Sequence, residues 1–357
     1  MRFVQTLRWS VALAGAAALS LSVSCEDEDL DPAGLVQSLR VIAVTADSSY
    51  PQPGDQVTMR LTFADALEDA PRPIEVAWIS GCIDPPGGAY YGCFPELVAA
   101  LESAGEGAAE GYRVRRDVYG AEWSGAPGAA PFTVTVPVDA LATGVDVATA
   151  YVFFTVCAGR VLPASLQPGA DRIEFPLVCV DDQGNELGPD SFVPGFAELF
   201  VFRDGRHNAN PPVEGILIGS VQTGSSPEAA PIVALCPERD EQGCAPAFGP
   251  GAQNNQQQEP CKTYRIQAQV PDVAEVVPGK VDAEGAPLRE TVWVRYYVDG
   301  GELERDDVLV SDAAAGYRGS FEALWTPPSE PGLVTLWAVA HDSRGGASVR
   351  RAVVRVE

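Results

Sequence analysis

The stretch LVTLWAVAHDSRGGASVRRAVVRV, residues 333–356, contains two apolar segments separated by a short polar one. Apolar residues dominate 333–340 and alternate with polar residues over 348–356, as in strands that pack on a core. Between these segments, Asp342-Ser343-Arg344-Gly345-Gly346 has the composition of a glycine-containing hairpin loop. The stretch therefore predicts a β-hairpin at this point in the chain.

The same period of two recurs along most of the sequence. Val57, Met59, Leu61 and Phe63 alternate with polar residues, which places one face on a core and the other in water. Further strands are predicted at 74–78, 132–136, 151–156, 175–180, 197–202, 264–270, 292–298 and 321–325. Helical spacing occurs only over 95–104, between a first-turn proline and Gly105. The sequence therefore predicts an all-β protein with one short helix.

Two segments resemble a known class of domains. Pro331–Ala340, the turn at 342–346 and the alternating tail resemble the end of PKD-type and other bacterial immunoglobulin-like domains. Val76-Ala77-Trp78 is similar to the core-tryptophan strand of such domains. The resemblance implies two immunoglobulin-like β-sandwiches in tandem, at 36–205 and 213–357. The first would carry a long loop insertion at about 80–130, and a linker at 206–212 would join the two where the apolar pattern lapses.

The N-terminus has the layout of a secretory signal. Arg2 and Arg8 precede an apolar run from Trp9 to Val23, which is shorter than the ~20 residues of a membrane span. Residues 1–24 are therefore predicted to be a signal peptide. The segment at 25–35 is acidic and contains proline, so it is predicted to be a solvated tether.

The residues before Cys25 resemble the lipobox of bacterial lipoproteins, except that Ser22 stands where that family usually has an aliphatic residue. The resemblance implies acyl chains, such as palmitate, on Cys25. A membrane would then be a partner, and the location would be the bacterial cell envelope, at the periplasmic or surface face of the outer membrane. The alternative is an ordinary signal peptide that releases a soluble protein.

Charge and cysteine content limit the possible partners and compartments. With 49 acidic against 24 basic residues, the net charge of −25 disfavours nucleic acid. Eight cysteines in an exported chain favour disulfides. The predicted pairs are Cys82 with Cys93, Cys157 with Cys179, and Cys244 with Cys261, although Cys236 could replace either member of the last pair. If Cys25 is lipidated, one of the remaining seven thiols stays unpaired within the chain.

Few residues point to a chemical function. Asp204, Asn208 and Asn210 near the linker are candidate calcium ligands, although Asp and Asn also occupy turns for backbone reasons. The two histidines, His207 and His341, predict neither a metal centre nor a catalytic site. Aromatic residues of the insertion are expected to bind a glycan or an envelope protein, or to pack on their own sandwich. These are Tyr90, Tyr91, Tyr112, Tyr119 and Trp123.

No catalytic motif appears in the sequence. The expectation is a non-enzymatic envelope lipoprotein that acts as a structural spacer or as a binding and adhesion module. The alternative is an extracytoplasmic hydrolase whose carboxylates lie in the first-domain insertion.

Overall fold

The computed structural model describes residues 32–67, 72–85, 89–103, 113–120, 130–164, 175–236, 245–246 and 262–357. The predicted signal peptide, Cys25, Tyr112 and Trp123 lie outside the described residues. The described chain is all-β, as predicted, with a single α-helix, α1 (Phe94–Ser103), at the predicted position. None of its helices has the length and apolar character needed to cross a membrane.

The first sandwich consists of two antiparallel sheets that share one core. The smaller sheet has the order β1-β2-β5, with β1 (Arg40–Ala46), β2 (Gln56–Ala64) and β5 (Phe132–Thr135). The larger sheet has the order β4-β3-β6-β9, with β3 (Ile74–Ile83), β4 (Arg113–Tyr119), β6 (Val147–Cys157) and β9 (Phe192–Phe202). Alternate side chains of both sheets point inward, and Trp78 lies fully buried among them.

A third layer covers the outer face of the larger sheet. It consists of α1 and the hairpin of β7 (Arg160–Pro163) and β8 (Leu177–Val180), which enclose a second cluster of buried residues. The insertion at 80–130 was expected to be a loop that contains one helix. It contains that helix, but it also contains a strand that was not predicted. Residues 113–119 form strand β4, which pairs with β3 along its whole length. The sequence pattern did not predict this edge strand, because its four charged residues interrupt the apolar alternation. Edge strands tolerate charge on both faces.

The second sandwich contains two larger sheets. One has the order β12-β23-β22-β17-β19-β20, and its strands are β12 (Ile232–Val233), β17 (Val292–Val298), β19 (Asp307–Asp312), β20 (Gly316–Tyr317), β22 (Gly332–Asp342) and β23 (Ala347–Val356). The other has the order β11-β10-β14-β21-β18, and its strands are β10 (Ile216–Ile218), β11 (Val221–Gln222), β14 (Lys262–Ala268), β18 (Glu302–Leu303) and β21 (Ala323–Thr326). Inward side chains of both sheets form one core that includes Trp325.

Three short elements complete the second half. Strand β13 (Ala245–Pro246) pairs with β14, and β15 (Val276–Val281) with β16 (Pro287–Arg289) forms a separate hairpin. The β22–β23 hairpin predicted from the sequence is present, with Leu336 opposite Ala352. That the two sandwiches are immunoglobulin-like, and the domain limits assigned to them, stay predictions.

The end of the predicted tether is an ordered part of the second sandwich. Val36 donates its backbone N–H to the carbonyl of Val298 at 2.8 Å, and Val298 donates to Gly34 at 2.8 Å. Leu35 packs against the second core. The prediction of a solvated tether up to residue 35 is therefore wrong for residues 34 and 35, because one leucine in an acidic segment gives no periodic signal. The chain contacts the second sandwich before it enters the first.

Candidate binding surface and the joint between the sandwiches

The two sandwiches meet through an apolar cluster that belongs to neither core. Strand β22 has apolar residues on both faces, and its outward residues Trp337 and Val339 are buried against the first sandwich. Their neighbours in the cluster are Val36, Ile42, Ala43, Ala64 and Tyr297. Burying a large apolar side chain stabilises by about 1.5–3 kcal/mol. The contact, here called the joint, is therefore a packed interface and not a flexible connection.

A buried amide links the sandwiches beside this cluster. The side-chain nitrogen of Asn208 donates to Ser49 Oγ and to Asp342 Oδ2, each at 3.0 Å. Nitrogen is assigned to this position because an amide oxygen would repel the Asp342 carboxylate. Asp342 also accepts the backbone N–H groups of Arg344 and Gly346, both at 2.8 Å. The predicted hairpin turn is therefore part of the joint.

Arg344, in the same turn, contacts both sandwiches and the segment between them. Its Nη1 donates to Glu275 at 2.6 Å and to Glu290 at 3.4 Å, and its Nη2 donates to the carbonyl of His207. Its guanidinium carbon lies 5.4 Å from the centroid of the Tyr50 ring in the first sandwich, within cation–π range. Arg344 therefore bridges three parts of the chain that are far apart in sequence.

Arg344 is one of two groups that favour the charged form of Glu290. Burial raises the pKa of the Glu290 carboxyl, and the nearby Asp342 and Glu275 charges act in the same direction. The backbone N–H of Glu275 and the Arg344 guanidinium oppose this rise. Because Glu290 is only 3% exposed, loss of the guanidinium would leave its charge without a compensating cation.

The three candidate calcium ligands have separate partners. Asp204 is exposed and pairs with Arg206, whereas Asn210 donates to the carbonyl of Ala46 at 2.7 Å. Asn208 directs its nitrogen at Asp342, and its Oδ1 is buried with no hydrogen-bond partner among the described residues. Those residues include no group of three or more His, Cys, Asp or Glu side chains placed to hold a metal ion. Calcium binding stays a prediction.

The predicted linker at 206–212 is part of the joint. Asn208 is buried, and Asn210 bonds to both sandwiches, because its Oδ1 also accepts the backbone N–H of Ala347 at 3.2 Å. Sequence reasoning identified these asparagines as candidate ligands and did not identify their structural role. Their partners lie more than 130 residues away, and such long-range contacts leave no local pattern.

The two histidines occupy different environments. His341 lies on β22 and stacks on Trp293, with ring centroids 5.3 Å apart. Burial lowers its pKa, and the Arg295 charge acts in the same direction. His207 contributes its backbone carbonyl to Arg344. The described contacts of these residues give them packing and backbone roles.

The third layer leaves a group of aromatic rings partly exposed at its surface. Tyr90 stacks on Phe196 with ring centroids 4.4 Å apart, and Tyr91 contacts Tyr90 edge-on at 5.8 Å. Their exposed fractions are 39% for Tyr90, 45% for Tyr91 and 38% for Phe196. These three residues are here called the aromatic ledge. Tyr90 and Tyr91 are two of the predicted binding aromatics.

A base of buried aromatic residues supports the ledge. Phe94 on α1 contacts Tyr90 at 5.8 Å, and Tyr151 and Phe153 on β6 contact Phe196 at 5.8 and 6.1 Å. Further along β3, Glu75 is buried and accepts the N–H of Val161 at 2.9 Å, which ties β7 to the sheet. The ring positions are therefore fixed by packing on several elements.

Sequence reasoning missed Phe196, whereas for Tyr119 its alternative of packing on the first sandwich is confirmed. Phe196 lies in β9, which was predicted to begin only at Ala197 because Pro194-Gly195 interrupts the pattern. Gly195 is needed there, since an added Cβ would meet the Phe154 ring at 2.4 Å. Tyr119, for which binding and packing were both predicted, is buried and contacts Phe63 at 6.3 Å. It lies on the inner face of β4, opposite Ile74.

Disulfides fix both sides of the third layer. Cys82–Cys93 joins β3 to the turn before α1, and Cys157–Cys179 joins β6 to β8, as predicted. Cys236 is also disulfide-bonded, whereas Cys25, Cys244 and Cys261 lie outside the described residues. Disulfides persist in oxidising compartments outside the cytoplasm. The chain is therefore extracytoplasmic.

The described part of the insertion gives the hydrolase alternative no specific support. A small cavity at its edge is lined by Arg113 and by uncharged residues of β3, β5 and β6, without a carboxylate among the described wall residues. Asp84 accepts the backbone N–H of Thr149, and Asp117 pairs with Arg115. That alternative stays a prediction.

Comparison with known proteins gives little further information. No family model and no curated protein matches the chain. Dimeric latent PorU from Porphyromonas gingivalis matches at 10% identity with a TM-score of 0.20, over 90% of this chain and 24% of that one. The native conformation of E. coli alpha-2-macroglobulin matches at 10% identity with a TM-score of 0.21, over 89% and 17% of the two chains. The chain thus spans a quarter or less of these structures, and TM-scores this low support no conclusion about it.

Proposed function

We propose that this chain is a lipid-anchored lipoprotein of the bacterial cell envelope that acts as a rigid binding module. In this proposal, acyl chains on Cys25 hold the protein at the outer membrane. The joint keeps the two sandwiches in one orientation, and the aromatic ledge contacts an envelope protein or a glycan. The chain thereby combines the roles of spacer and binding module.

The observation that carries the proposal is the third layer. A two-sheet sandwich can leave its outer faces in water, but here α1 and the β7–β8 hairpin cover one outer face. Two disulfides fix these elements, although the core of the first sandwich lies on the other side of the sheet. Three rings that are about two-fifths exposed lie beside the layer, with Tyr90 and Tyr91 in the turn before α1 and Phe196 on β9. Exposed aromatic side chains on a rigid support are typical of binding surfaces.

The anchor is supported by the leader-like N-terminus and by the extracytoplasmic disulfides. Only eight positions separate Cys25 from Ala33, where the described second sandwich contacts begin. An extended chain of that length reaches about 28 Å. The proposed anchor would therefore leave at most this length of chain between Cys25 and Ala33.

The anchor is tested by comparing Cys25→Ser with Ser24→Ala, a matched variant that keeps a small residue before the cysteine. We expect the Ser24→Ala and parent proteins in the membrane fraction, with intact masses that include acyl chains. Cys25→Ser is expected in the soluble exported fraction. An unmodified N-terminal Cys25 in the parent protein, or recovery of the whole chain from cytosol, would contradict the anchor.

The binding role is tested by placing a photo-crosslinking amino acid at Tyr91 on intact cells. Tyr317 in the second sandwich is the matched control, because it is also a tyrosine and is 40% exposed against 45% for Tyr91. We expect a defined crosslinked product from position 91 and none of the same mass from position 317. No product at 91, or the same product at both positions, would contradict a binding role for the ledge.

A further inference from the structure

We propose that the aromatic ledge binds a neutral sugar ring of an oligosaccharide. This inference rests on the proposed binding role and adds the class of ligand. It is carried by four properties of the ledge, which are its area, its ring geometry, the polar groups beside it and the charge of the chain.

The exposed area of the ledge suits a small ligand better than a protein. An aromatic side chain offers about 150–250 Å² of surface, so three rings that are two-fifths exposed present roughly 250 Å². A stable protein–protein interface needs about 800 Å² from each partner. One or two sugar rings, in contrast, have apolar faces small enough to be covered by two or three aromatic rings.

The ring geometry does not suit a cationic ligand. Cages for quaternary ammonium groups need ring faces that surround an open space. Tyr90 and Phe196 instead stack on each other at 4.4 Å with an interplanar angle of 22°, so their facing surfaces are already in contact. What remains is an outward surface, on which the apolar C–H face of a pyranose can stack.

One hydrogen-bond acceptor lies beside the ledge, two residues from Phe196 on the same strand. Glu198 is exposed and lies two residues after Phe196 on β9, on the same face of the strand. It pairs across the sheet with Tyr151 and hydrogen-bonds to its side chain, and Tyr151 in turn contacts Phe196. A carboxylate accepts hydrogen bonds from sugar hydroxyls and has no donor of its own. The ledge therefore combines an apolar surface with an acceptor at its edge.

The charge of the chain selects against acidic polymers. Its net charge is −25, and the two charged groups that act on the Tyr151 hydroxyl, Glu198 and Asp84, are acidic. Such a surface repels uronic acids, phosphates and nucleic acids. A neutral glycan is the ligand that meets no electrostatic penalty here and uses both the rings and the carboxylate.

The test titrates the full exported chain with chitohexaose, cellohexaose and mannohexaose, and with hexagalacturonate as the acidic comparison. Binding is measured by calorimetry and by saturation-transfer NMR. We expect at least one neutral hexasaccharide to bind and hexagalacturonate not to bind. Tyr91→Ala and Phe196→Leu should each weaken binding about three- to ten-fold, as expected for loss of one aromatic contact. Glu198→Gln should weaken it less, and Tyr317→Ala should leave it unchanged.

Each other outcome overturns the inference. No binding by the folded parent protein, binding that Tyr317→Ala weakens as much as Tyr91→Ala, or preference for hexagalacturonate would each do so. Because Tyr91 makes its described ring contact at the surface, its alanine variant reports on binding even if Phe196→Leu misfolds. If no sugar binds while crosslinking at position 91 succeeds, the binding role stands and only the ligand class is wrong. If both fail, the proposed function fails as well.

Discussion

The joint and the third layer use different interactions to hold added structure on a sheet face. At the joint, Trp337 and Val339 on the outer face of β22 pack against the first sandwich, and Asn208, Asp342 and Arg344 form a buried polar network beside them. In the third layer, aromatic and aliphatic side chains cover the sheet, and two disulfides fix the covering elements.

This difference predicts how each region responds to substitutions, to pH and to loss of a disulfide. A polar network fixes orientation, because every buried donor and charge needs a particular partner. It is therefore sensitive to single substitutions and to pH. A disulfide acts mainly on the unfolded state and leaves the native contacts in place when it is removed. Removal of a disulfide should therefore let the third layer open more often without changing its folded contacts. Removal of one polar partner at the joint should change the orientation of the two sandwiches.

The largest effect is expected from Arg344→Met. This change leaves the buried Glu290 carboxylate without its guanidinium partner, and breaking a buried pair in this way typically costs about 3–5 kcal/mol. Urea unfolding at pH 7.5 should show a loss of this order. The loss of stability should shrink towards pH 5. Without the guanidinium, the buried Glu290 carboxyl has a raised pKa, so it is protonated at low pH and costs little. At higher pH its unpaired charge destabilises the folded protein.

The double variant Glu290→Gln/Arg344→Met is the control for this explanation. Without an ionisable group at position 290, it should recover more than half of the loss at pH 7.5, and its stability should depend less on pH. Equal destabilisation of Arg344→Met at both pH values, with no recovery in the double variant, would show that Arg344 acts through packing alone.

In the third layer, replacing both Cys157 and Cys179 by alanine should reduce the free energy of unfolding. The bond closes a loop of 22 residues, and a loop of this size corresponds to about 3 kcal/mol. Hydrogen exchange should increase most in β7 and β8, where the layer opens locally, and less at the joint. The Cys82/Cys93 double alanine variant, with a loop of 11 residues, should lose about 0.5 kcal/mol less. An equal increase in β22 and in β7 and β8, in either variant, would argue against separate regions.

A smaller effect is expected from Asn208→Ala, which removes two hydrogen bonds between the sandwiches and leaves Asp342 with one partner fewer. The expected loss is about 1–2 kcal/mol, as for buried hydrogen bonds to a charged acceptor. Asn185→Ala, in an exposed turn, is the control and should lose less than about 0.5 kcal/mol. Equal losses in urea unfolding would remove Asn208 from the account of the joint.

The smallest effect on stability is expected from Tyr91→Ala. Its ring is 45% exposed and contacts Tyr90 edge-on, so thermal unfolding should shift by less than about 0.5 kcal/mol. The same variant should weaken binding of a neutral hexasaccharide about three- to ten-fold if the ledge works as proposed. A large loss of stability would instead indicate that Tyr91 is mainly a packing residue of the third layer.

The strands were predictable wherever one face is apolar and the other polar. The segment 292–298 was predicted with the bounds that β17 has, because apolar residues occupy each of its inward positions, 292, 294, 296 and 298. Strand β4 was missed because its charged edge carries no such alternation. The continuous apolar run from Leu336 to Ala340 did carry a signal for the joint, since strands buried on both faces read this way. It identified a strand, but not the surface that covers its outer face.

The candidate site was predictable only in part. Tyr90 and Tyr91 could be named from the sequence, because aromatic residues in a Gly- and Pro-rich insertion are unusual. Phe196 could not, since it reaches the ledge through the pairing of β9 with β6. The roles of Asn208 and Arg344 depend on partners in the other sandwich, and turn residues of this kind have no local periodicity.

The central claim is that the joint fixes the two sandwiches in one orientation. It is tested by electron–electron distance measurements between two spin labels. Each label is attached to a keto-bearing amino acid that replaces Val138 on the first sandwich or Val221 on the second, both of which are exposed. We predict one narrow distance distribution, the same with excess calcium and with a chelator, and a broader one in Arg344→Met. A broad or calcium-dependent distribution in the parent protein would contradict the claim.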